Sequence, residues 1–381
     1  MTRSGQAPCR ITAGPGPTLA QSLPESRAQS RILPRYTAGC AERRRIVALG
    51  TRPASTLRSL RLSTCLCFVL VTTSVVPRAW GQAVESVGAR ALGMGGAFVA
   101  VANDSSATWW NPAGLAAGPF VDVTLGTAAT GAGSAPGRTR AWGVAVAMPA
   151  LGASHYRLRI TNIDSFDPTE APAADRQEGR VGVPSQSLKL EQFGVTLVHS
   201  VFSRLHAGAT FKLVRGTAEG TTGTSTENSV DADVGLLGVA GPVRLAFVAR
   251  NLSQPVLHRP GEGFRDDLRL ARQFRAGVAY DGDLLPPGRS QPFTVSLDAD
   301  LAAYDTTRGP RRVVAAGAER WFAGRRIALR GGARLNQVGL RERSASLGAS
   351  VALVKGIMAD VHGTAGSRAE RGWGVAARAS F

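Results

Sequence analysis

Residues 293–304 read Phe-Thr-Val-Ser-Leu-Asp-Ala-Asp-Leu-Ala-Ala-Tyr. Phe293, Val295, Leu297, Ala299 and Leu301 alternate with Thr294, Ser296, Asp298 and Asp300. A helix turns successive side chains by about 100° and would mix the two sets, whereas a strand places them on opposite faces. The same period of two recurs on both sides of this stretch. Ile327, Leu329, Gly331, Ala333 and Leu335 alternate with Arg326, Arg330 and Arg334; Val243, Leu245, Phe247 and Ala249 alternate with Arg244 and Arg250. Tyr156, Leu158 and Ile160 alternate with Arg157 and Arg159, and Phe193, Val195 and Leu197 with Gln192, Gly194 and Thr196.

Fourteen such segments follow residue 120: 121–129, 138–149, 155–164, 189–201, 205–218, 230–238, 242–252, 269–280, 293–304, 311–322, 326–336, 343–354, 357–364 and 372–381. Most have the length of a tilted membrane-spanning strand, about 9–11 residues. Segment 311–322 has mixed faces, because Glu319 shares a parity with Val313 and Trp321. A soluble β-sandwich also alternates, but three features favour a closed membrane barrel. A bilayer-spanning sheet must close, since an open edge would leave amides unpaired in hydrocarbon, and single-chain bacterial barrels have an even strand number, as found here. Links alternate between short (150–154, 202–204, 239–241, 323–325, 355–356) and long (165–188, 253–268), the asymmetry of inner turns and outer loops. Link 281–292, with three prolines, departs from that rule. Finally, the chain closes on a strand with Trp373, Val375, Ala377, Ala379 and the terminal Phe381 on one face. The expected fold is all-β: a 14-stranded antiparallel transmembrane β-barrel over 121–381.

The chain carries 45 basic and 27 acidic residues. The excess is concentrated at the start, where residues 1–81 hold 12 Arg against Glu25 and Glu42. Within them, 57–81 reads as a secretory signal: Arg58 and Arg61, the apolar run Leu62–Val76, then Pro77 and the small-residue site Ala79-Trp80-Gly81. Cleavage is expected after Gly81, in preference to a short membrane anchor. Residues 1–56 are rich in Arg, Pro, Ser and Gly without apolar period. A nucleic-acid-binding arm is one reading, but no aromatic residues interleave the arginines and such an arm has no place on an exported chain. The other reading, a start assigned upstream of the true one, is preferred, so 1–56 is expected to be a non-native or disordered extension and no nucleic-acid partner is expected. All four cysteines, Cys9, Cys40, Cys65 and Cys67, precede residue 70, which excludes a disulfide scaffold or cysteine metal site in the barrel.

Between the cleavage site and the first strand, residues 82–120 contain Gly88–Ala116, GARALGMGGAFVAVANDSSATWWNPAGLA. A dinucleotide fingerprint fails here, because Phe98 stands where its last glycine belongs and no βαβ unit follows. The physical reading is a compact plug. Fourteen strands enclose a lumen between the side-chain-filled and the open cases, and small residues let a plug backbone pack against the wall. The plug motif comprises Gly93, Gly95, Gly96, Asn103, Asp104, Trp110, Asn111, Pro112, Ala113 and Gly114, with Pro112 fixing a turn.

This segment resembles the N-terminal hatch of the FadL-type outer-membrane transport family and its PorV/PorQ relatives, including the Asn111-Pro112-Ala113 turn. The resemblance covers roughly 88–116, and elsewhere rests on general pattern such as Asp231–Leu237 and Arg250-Asn251-Leu252. It implies a plugged channel for hydrophobic small molecules across the outer membrane; the alternative, PorV-like reading is a docking or shuttle platform for secreted proteins. A general polar porin is disfavoured by the plug. The mature chain is shorter than the long fatty-acid transporters, so their ligand-binding loops are not carried over.

No enzyme constellation survives inspection, and no metal or cofactor is expected. The histidines (155, 199, 206, 258, 362) lack ligand spacing, and the serines lack a nucleophile elbow. Asp360 and His362 share a strand face and are read as lumen polar residues rather than a catalytic pair. The lumen lining is expected to include Arg244, Arg250, Asp298, Asp300, Arg326, Arg330 and Arg334, with Arg157, Arg159, Arg378, Asp122, Asp231 and Asp233 on similar faces. These groups are either an ion network holding plug and wall or a selectivity lining; the presence of both signs favours the first. Outer-membrane lipid and the barrel insertion machinery are the expected partners, with Phe381 and Trp373 as the assembly signal.

Overall fold

The computed structural model describes residues 80–81, 87–132, 138–161, 187–220, 223–257, 268–286, 292–306 and 309–381. The extension 1–56 and all of the signal segment except Trp80 and Gly81 lie outside the described residues, as does most of link 165–188.

Fourteen strands form one closed antiparallel barrel. They are β1 Asp122–Ala132, β2 Arg138–Ala147, β3 Leu151–Thr161, β4 Ser187–Phe202, β5 Leu205–Gly220, β6 Gly223–Ala240, β7 Val243–Arg250, β8 Gln273–Asp281, β9 Phe293–Asp300, β10 Val313–Phe322, β11 Ile327–Asn336, β12 Arg343–Val354, β13 Ile357–Gly366 and β14 Glu370–Ser380. Each pairs with its sequence neighbour, and β14 closes on β1 from Ser380↔Asp122 to Glu370↔Ala132. Every expected segment is a strand. The largest difference is β6, expected over 230–238 and observed over 223–240. Its first half is Thr-, Ser- and Asn-rich, so no apolar alternation marks it; residues 223–238 pair along the whole length of β5. Segment 293–304 stops at Asp300, and residues 304–306 pair instead with 309–311 in a small separate hairpin.

The outward side chains show where this barrel belongs. Leu347 is 74% exposed, Leu213 60% and Leu245 59%, and Phe193, Leu197, Leu297, Leu329 and Val375 are exposed beside them. A soluble protein would bury such a belt; a hydrocarbon surround satisfies it. The inward positions of the same strands are polar and buried, as with Thr196, Lys212, Asp233, Asp298 and Ser350. Segment 311–322 resolves in this frame. Glu319 and Trp321 both face inward, with the Trp321 Nε1–H donating to Glu319 at 3.2 Å, while Arg320 faces out over the Phe322 ring.

The barrel has two unlike ends. One carries Phe381 and the tight links 148–150, 203–204, 241–242, 323–326 and 355–356. That end also holds the eleven-residue link 282–292, while the other end carries the two longest links, 162–186 and 251–272. At this loop end β4, β5 and β6 run to 16, 16 and 18 residues, well beyond what a bilayer needs.

Candidate functional site

The lumen is filled by residues 87–117. A short helix, α1 (Ala89–Gly93), is followed by turns, then α2 (Ala107–Trp110) and a 3-10 helix over Pro112–Ala117. Their compactness comes from missing side chains on both sides of the contact. A Cβ on Gly95 would stand 2.7 Å from the Ala333 backbone nitrogen, and one on Gly114 would stand 2.0 Å from the Ala102 carbonyl. On the wall, Gly235 and Gly208 make the same allowance for Asn111 and for Pro112-Ala113.

Among the sets of polar contacts that fix the segment to the wall are four centred on Asn111, Asp298, Asp122 and Arg90. Asn111 donates to the carbonyls of Val99 (3.0 Å) and of Leu236 on β6 (3.2 Å), and accepts from the Ala113 N–H. Asp298 on β9 accepts from the Phe98 and Val99 N–H groups at 2.6 and 2.8 Å. Asp122 on β1 accepts from the Ser105 N–H at 2.7 Å and from the Ser380 hydroxyl. Arg90 forms the fourth. Its Nε and Nη2 grip Glu319 on β10 at 3.0 and 2.8 Å, while Nη1 donates to Asn103 and Asp104 at 2.7 and 3.1 Å.

Around Arg90 the charges alternate and balance. Arg330 lies 3.3 Å from Glu319 and 3.4 Å from Asp360, with the Ser350 hydroxyl between Arg330 and Asp360. Arg378 lies 3.5 Å from Asp360 and 3.6 Å from Asp104. Three cations thus meet three carboxylates, all buried. Burial opposes the charge on Arg90, but Glu319 and Asp104 outweigh it and hold the guanidinium above its ordinary range. For Asp104 burial is likewise outweighed, by Arg90 and then Arg378, and the carboxyl sits below the ordinary aspartate range.

Other ion pairs are within the wall. Arg244 meets Asp281 at 2.6 Å, Arg275 meets Asp300 at 2.7 Å and Arg334 meets Glu370 at 2.9 Å. Lys212 meets Asp231 and Asp233 at 2.9 and 2.7 Å, and Arg250 covers the Trp109 ring at 4.4 Å. Gly93, Gly96, Trp110 and Trp373 complete the sequence-derived set. Gly93 packs on Arg330, Gly96 has a left-handed φ of 82°, Trp110 is buried with its Nε1–H on the Val87 carbonyl, and Trp373 faces outward like Phe381.

Three expected lumen residues are elsewhere. Arg326 lies exposed in the turn between β10 and β11, because β11 begins only at Ile327. Arg157 and Arg159 point outward, and Tyr156, Leu158 and Ile160 point in. The alternation holds but its polarity inverts: the loop-end half of β3 clears the membrane, so water is outside and packed side chains are within. Conversely, Arg90 and Glu319, which carry no role in the sequence pattern, are central to the site. Arg90 is the lone charge in the Gly/Ala-rich run 88–102, and that isolation was the available signal.

The inversion gives the lumen an apolar zone on the loop side of the plug. Leu158, Ile160, Leu188, Leu190 and Val214 project inward and are at most 3% exposed. Trp109 packs edge-on to Tyr156 at its floor, 5.2 Å between centroids. A crevice between the start of the plug and β1–β3, lined by Gly88, Ala89, Ser106, Ala128, Ala141 and Tyr156, has a volume of about 30 Å³. It has room for roughly two waters.

These features define a class: a 14-stranded membrane barrel shut by an N-terminal hatch. Solved structures share the fold. The chain is similar to "CymD monoaromatic hydrocarbon channel", with 13% identity, 77% of this chain and 97% of that chain covered, and a TM-score of 0.57. It is similar to the Pseudomonas putida toluene transporter TodX (12%, 78% and 99%, TM-score 0.54) and to a Pseudomonas aeruginosa FadL homologue (12%, 78% and 99%, TM-score 0.53). Residues 220–300, roughly a fifth of the chain, match the family model "F plasmid transfer operon, TraF, protein". No curated protein matches the chain.

Proposed function

We propose that this chain is a plugged outer-membrane channel for hydrophobic small molecules, exported through a signal segment ending near Gly81. The observation that carries the reading is the apolar inner wall at the loop end, Leu158, Leu188, Leu190 and Val214, directly beyond a hatch that closes the lumen. A polar porin needs the reverse: a wetted lumen and no plug. Similarity of fold to a monoaromatic hydrocarbon channel and to a toluene transporter supports the same class of cargo. The hatch then blocks leakage at rest and must shift for cargo to pass, since the crevice beside it has room for little more than water.

The test is uptake by cells lacking a hydrocarbon channel of their own. Expression of the chain should raise the initial uptake rate of a labelled monoaromatic hydrocarbon without raising that of a small sugar. Leu190→Asp, which puts a carboxylate on the apolar wall, should lower hydrocarbon uptake at least tenfold with normal membrane insertion. Parallel increases for sugar and hydrocarbon, or an unaffected Leu190→Asp, contradict the proposal.

A further inference from the structure

We propose that the outward face of β2–β5 at the loop end is a docking surface for an anionic membrane lipid, held through its phosphate groups. Three cations stand directly opposite one another there. Arg140 on β2 is the register partner of Arg159 on β3, and Arg159 is the partner of Lys189 on β4. Like charges opposed across neighbouring strands are destabilising. The row spans about 10 Å, since paired strands lie about 4.8 Å apart.

The neighbouring positions add to it rather than neutralise it. Arg157 and Arg215 flank the row, and Arg138 lies one step beyond Arg140 on the same face. Against these six cations stand two outward carboxylates, Glu191 and Glu219. Glu191 is shared between Arg157 (3.4 Å) and Lys189 (3.2 Å), and Glu219 contacts Arg159 at 3.4 Å. Among the described residues Arg138, Arg140 and Arg215 have no ion-pair or side-chain hydrogen-bond partner. The cluster carries surplus positive charge on outward-facing side chains, Arg138, Arg140, Arg159 and Arg215 being exposed and Arg157 and Lys189 half-buried.

Its height on the barrel selects the partner. Phe193, exposed on the apolar belt, is two residues from Glu191 and four from Lys189 along the same face of β4. At about 3.3 Å per residue the charges begin roughly 7 Å beyond hydrocarbon, at the level of lipid headgroups. Trp142, exposed and 5.2 Å from His155, marks the boundary directly below Arg140. Basic side chains at that level attract anionic lipid, each contributing about fivefold to affinity. The proposal rests on the barrel spanning a membrane and is independent of what the lumen carries.

The test uses the full chain purified in neutral detergent, titrated with an acylated glycolipid bearing two phosphates and with phosphatidylcholine, bound lipid being counted by native mass spectrometry. Wild type should bind the phosphorylated lipid and release it in high salt. Arg140→Ala with Arg159→Ala and Lys189→Ala should weaken binding about a hundredfold. The same number of charges removed at the turn end, by Arg204→Ala, Arg326→Ala and Lys355→Ala, should leave it unchanged. Without lipid the first triple variant should melt no lower than wild type, because it relieves opposed charges. If it fails to fold, Arg140→Gln alone, which breaks no described pair, should cost about fivefold. Equal binding by wild type and the variants of this face, equal losses for both triple variants, or equally tight phosphatidylcholine binding overturns the proposal. So does inorganic phosphate that raises the melting temperature as much as the lipid, which would make this a soluble-anion site.

Discussion

Arg90 is the side chain whose removal should unlatch the hatch. It is the only cation of the segment described between residues 87 and 117, and it makes a two-point contact with Glu319 and further bonds to Asn103 and Asp104. In Arg90→Ala, Glu319 keeps Arg330 at 3.3 Å as its one remaining paired cation beside the Trp321 N–H, and Asp104 keeps Arg378 at 3.6 Å beside its Ser106 hydrogen bonds. Removing one partner of a buried pair costs about 3–5 kcal/mol, because the other charge stays buried. Opening the hatch lets Glu319 reach water and recovers much of that cost, whereas the barrel's backbone pairing is untouched. The closed-to-open ratio should therefore fall by about two orders of magnitude or more, at about 1.4 kcal/mol per tenfold. Purified wild type in a planar bilayer should conduct little; Arg90→Ala should show frequent openings. Arg90→Ala with Glu319→Ala removes both charges and should restore part of the closure, since an absent pair costs less than a broken one. Unchanged conductance for Arg90→Ala, or a double variant as open as the single one, refutes the latch.

Deleting residues 84–120 should leave a barrel that inserts and conducts continuously, since β1–β14 close without them; Asn111→Ala with Pro112→Ala should give intermediate flickering. If the deletion cannot fold, as read by loss of heat-modifiable migration on gels, the segment is core rather than hatch. Closure should be insensitive to pH from about 8 down to about 5: Asp104 titrates below its ordinary value of about 4, so its contribution is complete above that value and is lost only as pH falls through the lower folded value. Arg90 is held above its ordinary range and keeps its charge over this whole interval. A rise in conductance already near pH 6 would assign gating to other groups. Phe381→Ser should reduce membrane insertion several-fold in pulse-labelled cells, because the ring is two-thirds exposed on the outward side beside β14; equal insertion removes the assembly-signal argument.

The sequence by itself determined the wall. Period-two alternation needs no tertiary information, because pleating alone separates odd from even side chains, and so fourteen segments from 121 to 381 and their antiparallel order could be read directly. It also marked the Gly/Ala-rich stretch with Asn111-Pro112 as something that packs closely. Alternation does not say which face is inside. On β9, hydrocarbon surrounds the strand and Asp298 faces in; on the outer half of β3, water surrounds it and Leu158 faces in while Arg159 faces out. The same pattern thus has opposite meanings on the two sides of the membrane boundary, and only the register of fourteen strands against one apolar belt locates that boundary. Nor could spacing pair Arg90 with Glu319, 229 residues away. Closure of β14 on β1 and insertion of the hatch bring them together, and a buried carboxylate finds its partner only once both faces of the lumen exist.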